Sequence, residues 1–215
     1  MEREEHSRHE EGTSTKERIL LVAEDLFAEK GFTGTRTRDI AERAGINIST
    51  LHFHWKCKEE LYTTVYQRLL AQRAKLTEEL FVFLGDTPTT LAQWEEKIRG
   101  GVDLLFTFFR VNRHAARLDS YWTLEPHALS AEIEQNQVGP LLLSTAERLR
   151  QWLPKDIAQQ IDLELTIITT NTLLREYFVN PAALGRFLQE ESQENLENRL
   201  KHYIEHSLKR LYLLI

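Results

Sequence analysis

Cysteine is nearly absent from this chain of 215 residues, which has one, and proline and glycine are scarce at five and nine. A single cysteine excludes an internal disulfide and suits a reducing, cytoplasmic setting. No apolar run approaches the roughly 18 residues that a membrane-crossing helix requires. The N-terminal stretch MEREEHSRHEEGTSTK is charged and polar, so it reads as a disordered arm over 1–14 and not as a secretory signal. Few glycines, prolines and alternating runs leave little material for strands, while abundant Leu, Glu, Gln and Arg favour an all-α fold. Catalytic signatures are missing as well. There is no Ser/His/Asp nucleophile motif, no phosphate-binding glycine loop and no clustered metal-ligand spacing, so no enzyme, cofactor or metal site is expected. His202 and His206 stand at i, i+4 but lack the acidic base of a metalloprotease motif and read as a polar helix face. His52 and His54, two apart, point away from each other on a helix; His6 and His9 belong to the solvated arm.

What is present is concentrated between residues 31 and 61, GFTGTRTRDIAERAGINISTLHFHWKCKEEL. Ile40, Ala41 and Ala44 make one helix face apolar. Gly45 follows where a helix ends on a left-handed residue, and Asn47 can cap the next helix. Leu51 and Trp55, four apart, pack inward; Ile48, Ser49, His52 and Phe53 are left facing outward. Two short helices joined in this way form a helix-turn-helix, whose second helix presents its first turns to the major groove. The formal net charge is −6, yet Lys30 to Lys58 carries six basic residues against two acidic ones. Positive charge is thus gathered where phosphates would lie, and binding to DNA should weaken with salt.

The run Thr35-Arg36-Thr37-Arg38-Asp39-Ile40-Ala41, then Ala44-Gly45-Ile46-Asn47, then Thr50-Leu51-His52-Phe53-His54-Trp55 and Lys58-Glu59-Glu60-Leu61 resembles the TetR family of bacterial transcriptional regulators. The likeness spans roughly Thr15 to Thr64 and includes the helix from Lys16 to Phe32. It implies a three-helix DNA-binding domain over 15–62 and a larger helical ligand-binding and dimerisation domain over 63–215. Arg36, Thr37, Arg38, Asn47, Ile48, Ser49, Thr50, His52, Phe53, His54, Lys56 and Lys58 are the expected DNA-contacting residues. Arg38 is long enough for a guanine edge and Ile48 suits a thymine methyl. Thr37 is expected on a phosphate, Ser49 and Thr50 on bases or phosphates, and Lys58 matches the family's phosphate-binding lysine. The chain departs from the pattern at four places. Arg36 stands where Ser or Thr usually starts helix 2, His52 replaces the usual Tyr, Trp55 replaces the usual Phe and should fill more core, and Cys57 replaces Ser or Asn. A redox role for Cys57, flanked by Lys56 and Lys58, is conceivable, but a tolerated small residue is the simpler reading.

Beyond Leu61 the pattern predicts helices over about 58–84, 89–111, 112–122, 155–179 and 192–214, with a further one opened by Pro126 and interrupted near Gly139-Pro140. Thr15 is expected to cap the first helix and Asn112 the short one, and Gly100-Gly101 to bend its helix. Ile161, Leu165 and Ile168, with Leu200, Tyr203, Ile204, Leu208 and Leu211, recur at helical spacing on the last two helices and suggest a homodimer interface. A twofold dimer would read an imperfect palindrome on double-stranded DNA. Val102, Asp103, Leu105, Phe106, Phe109, Arg110, Arg113, His114, Arg117, Tyr121 and Trp122 are the candidate pocket for a small, hydrophobic effector. The resemblance implies a dimeric repressor released from its operator by that effector, without membrane attachment. The alternative is a ligand-independent DNA-binding protein of the same fold that acts through a protein partner.

Overall fold

The computed structural model describes residues 14–125 and 130–213, with side chains for 14–125 and 131–210. Its elements are α1 (Thr15–Gly34), α2 (Thr37–Arg43), α3 (Ile48–His54), α4 (Lys58–Leu84), α5 (Leu91–Val111), α6 (Ala115–Leu124), α7 (Ser130–Ile133), α8 (Gly139–Trp152), α9 (Lys155–Ala158), α10 (Leu163–Val179), α11 (Pro181–Leu188) and α12 (Gln193–Leu213). A π-helical turn, Glu134–Val138, joins α7 to α8. Among the described residues there is no strand, and no helix is long and apolar enough to cross a membrane. The all-α class expected from composition is the class observed. The arm, with its His6 and His9, lies outside the described residues up to residue 13, as does Pro126.

The three N-terminal helices close over one core. Ile19, Phe27, Ile40 and Leu51 have no exposed surface, and Trp55 is 3% exposed. The cap of α1 is Ser14, whose hydroxyl accepts from the Glu17 N–H at 3.2 Å, one residue before the expected Thr15. Gly31 interrupts α1 at φ 72°, ψ −178°, a conformation essentially reserved for glycine. The chain turns there, and buried Thr35 closes the corner by donating its hydroxyl to the carbonyls of Leu26 and Gly31. Aromatic packing of Tyr62 on Phe27 and Phe32 then ties α4 to α1.

Several expected boundaries move. Asn112 ends α5, with its side-chain amide donating to the Phe108 carbonyl; α6 begins three residues later. Gly100 and Gly101 do not bend α5, whose dihedrals stay helical throughout. Gly100 instead lets α4 come close, since a Cβ there would sit 2.1 Å from the ring of Phe83. No break occurs at Gly139-Pro140, because the π-helical turn runs straight into α8. The expected helix 155–179 is two, α9 and α10. Asp162 stops the run by accepting from the Leu165 N–H at 2.8 Å, opening a new helix. Asn180 caps α11, a short helix absent from the sequence reading.

Candidate nucleic-acid interface and interior cavity

Helix α2 starts without a side-chain cap, because Arg36 cannot supply the acceptor that Ser or Thr would. Its guanidinium is left outside with that of Arg38, both exposed, while Thr37 is half-buried. The turn forms as expected: Gly45 has φ +65°, and Asn47 Oδ1 accepts from the Thr50 N–H at 2.7 Å. That same oxygen takes the Thr50 hydroxyl at 2.9 Å. Asn47 and Thr50 are therefore engaged with each other in the cap, and the base or phosphate role expected of them is not the one this geometry favours. Ile48 also differs from expectation, being half-buried against the core rather than fully displayed. Ser49, His52, Phe53 and Lys56 are the exposed residues of α3 and its C-terminal edge, and Phe53 is 85% exposed with its ring edge-on to half-buried His54. Lys58 turns inward. Its ammonium donates to the carbonyls of Phe32 at 2.9 Å and Thr35 at 3.0 Å and covers the Phe32 ring at 4.1 Å, which satisfies the end of α1 instead of projecting at a phosphate. Cys57 is exposed at the start of α4. Arg36, Arg38, Ser49, His52, Phe53 and Lys56 thus remain as the outward set.

The body behind this module holds a cavity of about 470 Å³, partly open to solvent and walled mainly by α4, α5, α6, α8 and α10. Four of the expected pocket residues line it: Val102, Leu105, Phe109 and Trp122. The other seven do not. Phe106 is fully buried between Tyr177 and Phe178, and Asp103 and Arg110 leave the opposite side of α5 to pair with Lys201 and Glu197 on α12. Arg113, His114, Arg117 and Tyr121 face α1. The reason is helical phase: cavity and α1 lie on different sides of the 109–122 segment, and sequence proximity to Phe109 cannot tell them apart.

The residues that sequence reasoning missed carry the polar chemistry of the cavity. Arg73 of α4 pairs with Asp119 of α6, and the Tyr66 hydroxyl donates to the same carboxylate at 3.3 Å. Burial pushes the Asp119 carboxyl above the usual range, opposed by the positive charges of Arg73 and Arg175. Burial likewise raises the Tyr66 phenol, with Asp119 adding to the effect. Tyr66 stacks on Trp122 with ring centroids 3.8 Å apart. A signal for Arg73 existed: it stands in register with Leu70, Thr77 and Leu80, a charge inside the apolar stripe of α4.

Helix α6 joins the cavity to the helix-turn-helix module. One face gives Asp119 and Trp122 to the cavity. The other grips α1 at both ends. His114 Nε2 lies 2.8 Å from the Asp25 carboxylate, which Arg43 of α2 also reaches at 3.3 Å. At the far end Glu125 accepts from the Phe32 N–H at 2.6 Å and the Thr33 N–H at 3.3 Å, and the Tyr121 hydroxyl donates to the Glu29 carbonyl at 3.3 Å. The bend at Gly31 exposes those two N–H groups as a small helix start, and Glu125 caps it from outside.

The expected dimer residues divide in two. Leu165, Ile168 and Tyr203 are exposed at 54%, 46% and 62%, an unusual display for such side chains. Leu200 and Ile204 are buried in the main core, and Ile161 in a smaller one with Leu153, Ile157 and Leu163. Those three serve the monomer interior, because α9 ends early and α12 turns its leucine stripe inward. Leu208 is half-buried and also lines the cavity, and the Leu211 side chain lies outside the described set. Among the described residues no three potential metal ligands converge.

Comparison with known proteins bears on both regions. Residues 19–65 match the family profile of bacterial regulatory proteins, tetR family. The negative transcriptional regulator IcaR of the biofilm operon icaADBC in Staphylococcus epidermidis is 30% identical over 122 residues, 56% of this chain and 60% of that protein. The transcriptional regulator RutR of Escherichia coli is 40% identical over 58 residues, 27% of each chain. The chain thus spans about 60% or less of the length of the curated relatives it matches. A transcriptional regulator from Saccharomonospora viridis, solved in complex with choline, superposes with a TM-score of 0.60 at 18% identity, covering 89% of this chain and 95% of that one, and so shares the fold. Residues 19–65 thus resemble the tetR family of bacterial regulatory proteins, and the chain as a whole shares the fold of that solved regulator.

Proposed function

We propose that this protein is a sequence-specific, DNA-binding regulator of transcription that acts as a homodimeric repressor and leaves a palindromic operator when a small, largely hydrophobic molecule fills its cavity. The observation that carries the reading is the position of α6, with one face in the cavity and both ends bound to α1. A ligand that moves α6 must also move Gly31, Phe32 and Asp25, and with them the α2–α3 head. Release follows only if the ligand binds the shifted arrangement more tightly, since equal affinity for two states shifts neither. The exposed Leu165, Ile168 and Tyr203 supply apolar surface for a second copy, whose twofold axis would set two α3 helices one DNA turn apart. The negative regulator IcaR supports repression as the sign of control.

Selection of bound sequences from a random duplex library, followed by titration at several salt concentrations, tests this reading. The expected result is a twofold-symmetric site bound at least about 10³-fold more tightly than scrambled DNA. Lys56→Ala should weaken all sequences alike and flatten the salt dependence, whereas Arg38→Ala should also relax the preference at one base pair per half-site. Recovery of no symmetric site, with scrambled DNA bound equally well, would overturn it.

A further inference from the structure

The charges inside the cavity do not balance. Arg73, Lys97 and Arg175 line it against Asp119 and Glu134, leaving one positive charge in excess. Two of the five are accounted for elsewhere. Lys97 donates to the Phe83 carbonyl at 2.8 Å and lies over the Phe83 ring, and Glu134 is exposed. That leaves two guanidinium groups and one buried carboxylate. Asp119 is shared between Arg73 and Tyr66. Arg175 is half-buried and has no hydrogen bond or ion pair among the described residues, although it is near enough to act on Asp119. The Nε–H of Arg73 is buried without an acceptor. A guanidinium held among apolar walls with donors unmet is costly, and an incoming anion relieves that cost.

The α4, α5 and α8 walls are largely apolar, with Leu70, Leu76, Leu80, Leu105, Leu141 and Leu142, while Thr166, Thr170, Asn171 and Thr172 make the α10 side beside Arg175 polar. We propose that the cavity takes a single-tailed amphiphile with a carboxylate head, the head held by Arg175 and the spare Arg73 donor and the tail laid among these leucines. A carboxylate offers two acceptor oxygens in the spacing of a guanidinium fork. A cation meets the excess positive charge, and the aromatic faces nearest Asp119 are taken: Tyr66 and Trp122 stack on each other, and Arg73 already lies over Phe109 at 5.9 Å. A neutral hydrophobe fills the space but leaves both arginines as they are. The cavity volume, about 470 Å³, falls within the usual range of small-molecule sites. This inference rests on the reading of the cavity as an effector site.

Isothermal titration of the protein with dodecanoate and dodecyltrimethylammonium below their critical micelle concentrations, and with dodecanol below its solubility limit, tests it. Dodecanoate should bind about tenfold or more tightly than dodecanol, and the ammonium most weakly. Arg175→Gln should remove that advantage while leaving dodecanol affinity unchanged, and Arg175→Lys should restore part of it. Circular dichroism melts of the two variants check that both are folded, and the three ligands on the unaltered protein test the charge preference without any variant. Dodecanol or the ammonium binding as well as dodecanoate would overturn the anionic head while leaving the effector cavity in place. Binding of none of the three, together with unchanged DNA affinity in their presence, would overturn both the inference and the reading it rests on.

Discussion

The reading head and the body behind it are built from the same kind of helix and packed for opposite ends. In the head, Ile19, Ala23, Phe27, Ala28, Ile40 and Leu51 are sealed to 4% exposure or less, and the buried Thr35 hydroxyl donates to two carbonyls. In the body a comparable set of leucines surrounds about 470 Å³ of space, and a buried arginine nitrogen has no acceptor. A close-packed unit fixes the spacing of the groups on its outer face; a hollow one leaves its lining side chains short of contacts. The difference teaches that helicity alone says little about function here, and that packing density does the separating, since each region buries an unpartnered nitrogen, Trp55 Nε1 in the head and Arg73 Nε in the body.

The most direct way to break this comparison is to delete side chains of like size on each side of it. Ile40→Ala opens a void in a sealed core and should cost about 2–5 kcal/mol by urea unfolding. Leu80→Ala removes a half-buried group that already faces open space and should cost only about 1 kcal/mol. Equal losses would mean that the body collapses as tightly as the head. Next in size is Gly31→Ala. The substituent would need a positive φ at a conformation that suits glycine, and its Cβ would meet Tyr121 Cδ1 and Glu125 Oε2 at 2.7 Å. A destabilisation of about 1–3 kcal/mol is expected from the backbone alone, read from the thermal midpoint. Because the clash falls on α6, operator affinity should fall as well, measured by fluorescence anisotropy.

Glu125→Ala sharpens the comparison at the joint between the two regions. It strips the acceptor from the N–H groups of Phe32 and Thr33, at a cost of about 1 kcal/mol given their partial exposure to water. Hydrogen exchange at those two amides should quicken, while exchange within α10 stays as it was. Protection unchanged at Phe32 would show that Glu125 is not the cap.

How far each region could be read in advance follows the same division. In the head, local chemistry dictates local geometry: Gly45 takes the left-handed turn, Asn47 the cap, Leu51 and Trp55 the inward positions, and all of these were visible in the letters. Lys58 was not, because its acceptors belong to Phe32 and Thr35, more than twenty residues away. In the body, spacing showed that α5 is apolar on several sides but not which side faces what. Val102, Leu105 and Phe109 reach the cavity, whereas Phe106, one position away from Leu105, reaches Tyr177. Leu200 and Ile204 carry the periodicity of an interface helix, and only the placement of α12 against α5 shows that their stripe is interior. Stop signals within polar stretches were the hardest. Asp162 looks like one more acidic residue in a helix until its carboxylate is seen accepting from Leu165. Arg73, Asp119 and Arg175 converge from three helices, an arrangement that no window of sequence contains.

The smallest expected effect concerns that convergence and comes from pH. Burial raises the Asp119 carboxyl more than Arg73 and Arg175 lower it, so the fold favours the protonated form relative to the unfolded chain. For an acid raised in the folded state, the stabilisation is present below the ordinary aspartate range, at about pH 4, and is lost as pH climbs through the elevated folded value. Asp119→Asn imitates the protonated acid at every pH and keeps an oxygen for Arg73 and Tyr66. The variant and the parent should therefore have similar stability near pH 4 in urea titrations, with the parent falling behind as pH rises toward neutrality. A parent that instead gains on the variant with rising pH would show that the two arginines outweigh burial. Asp119 would then stay ionised and offset one of the two guanidinium charges, and the spare charge that sets the body apart from the sealed head would be the smaller for it.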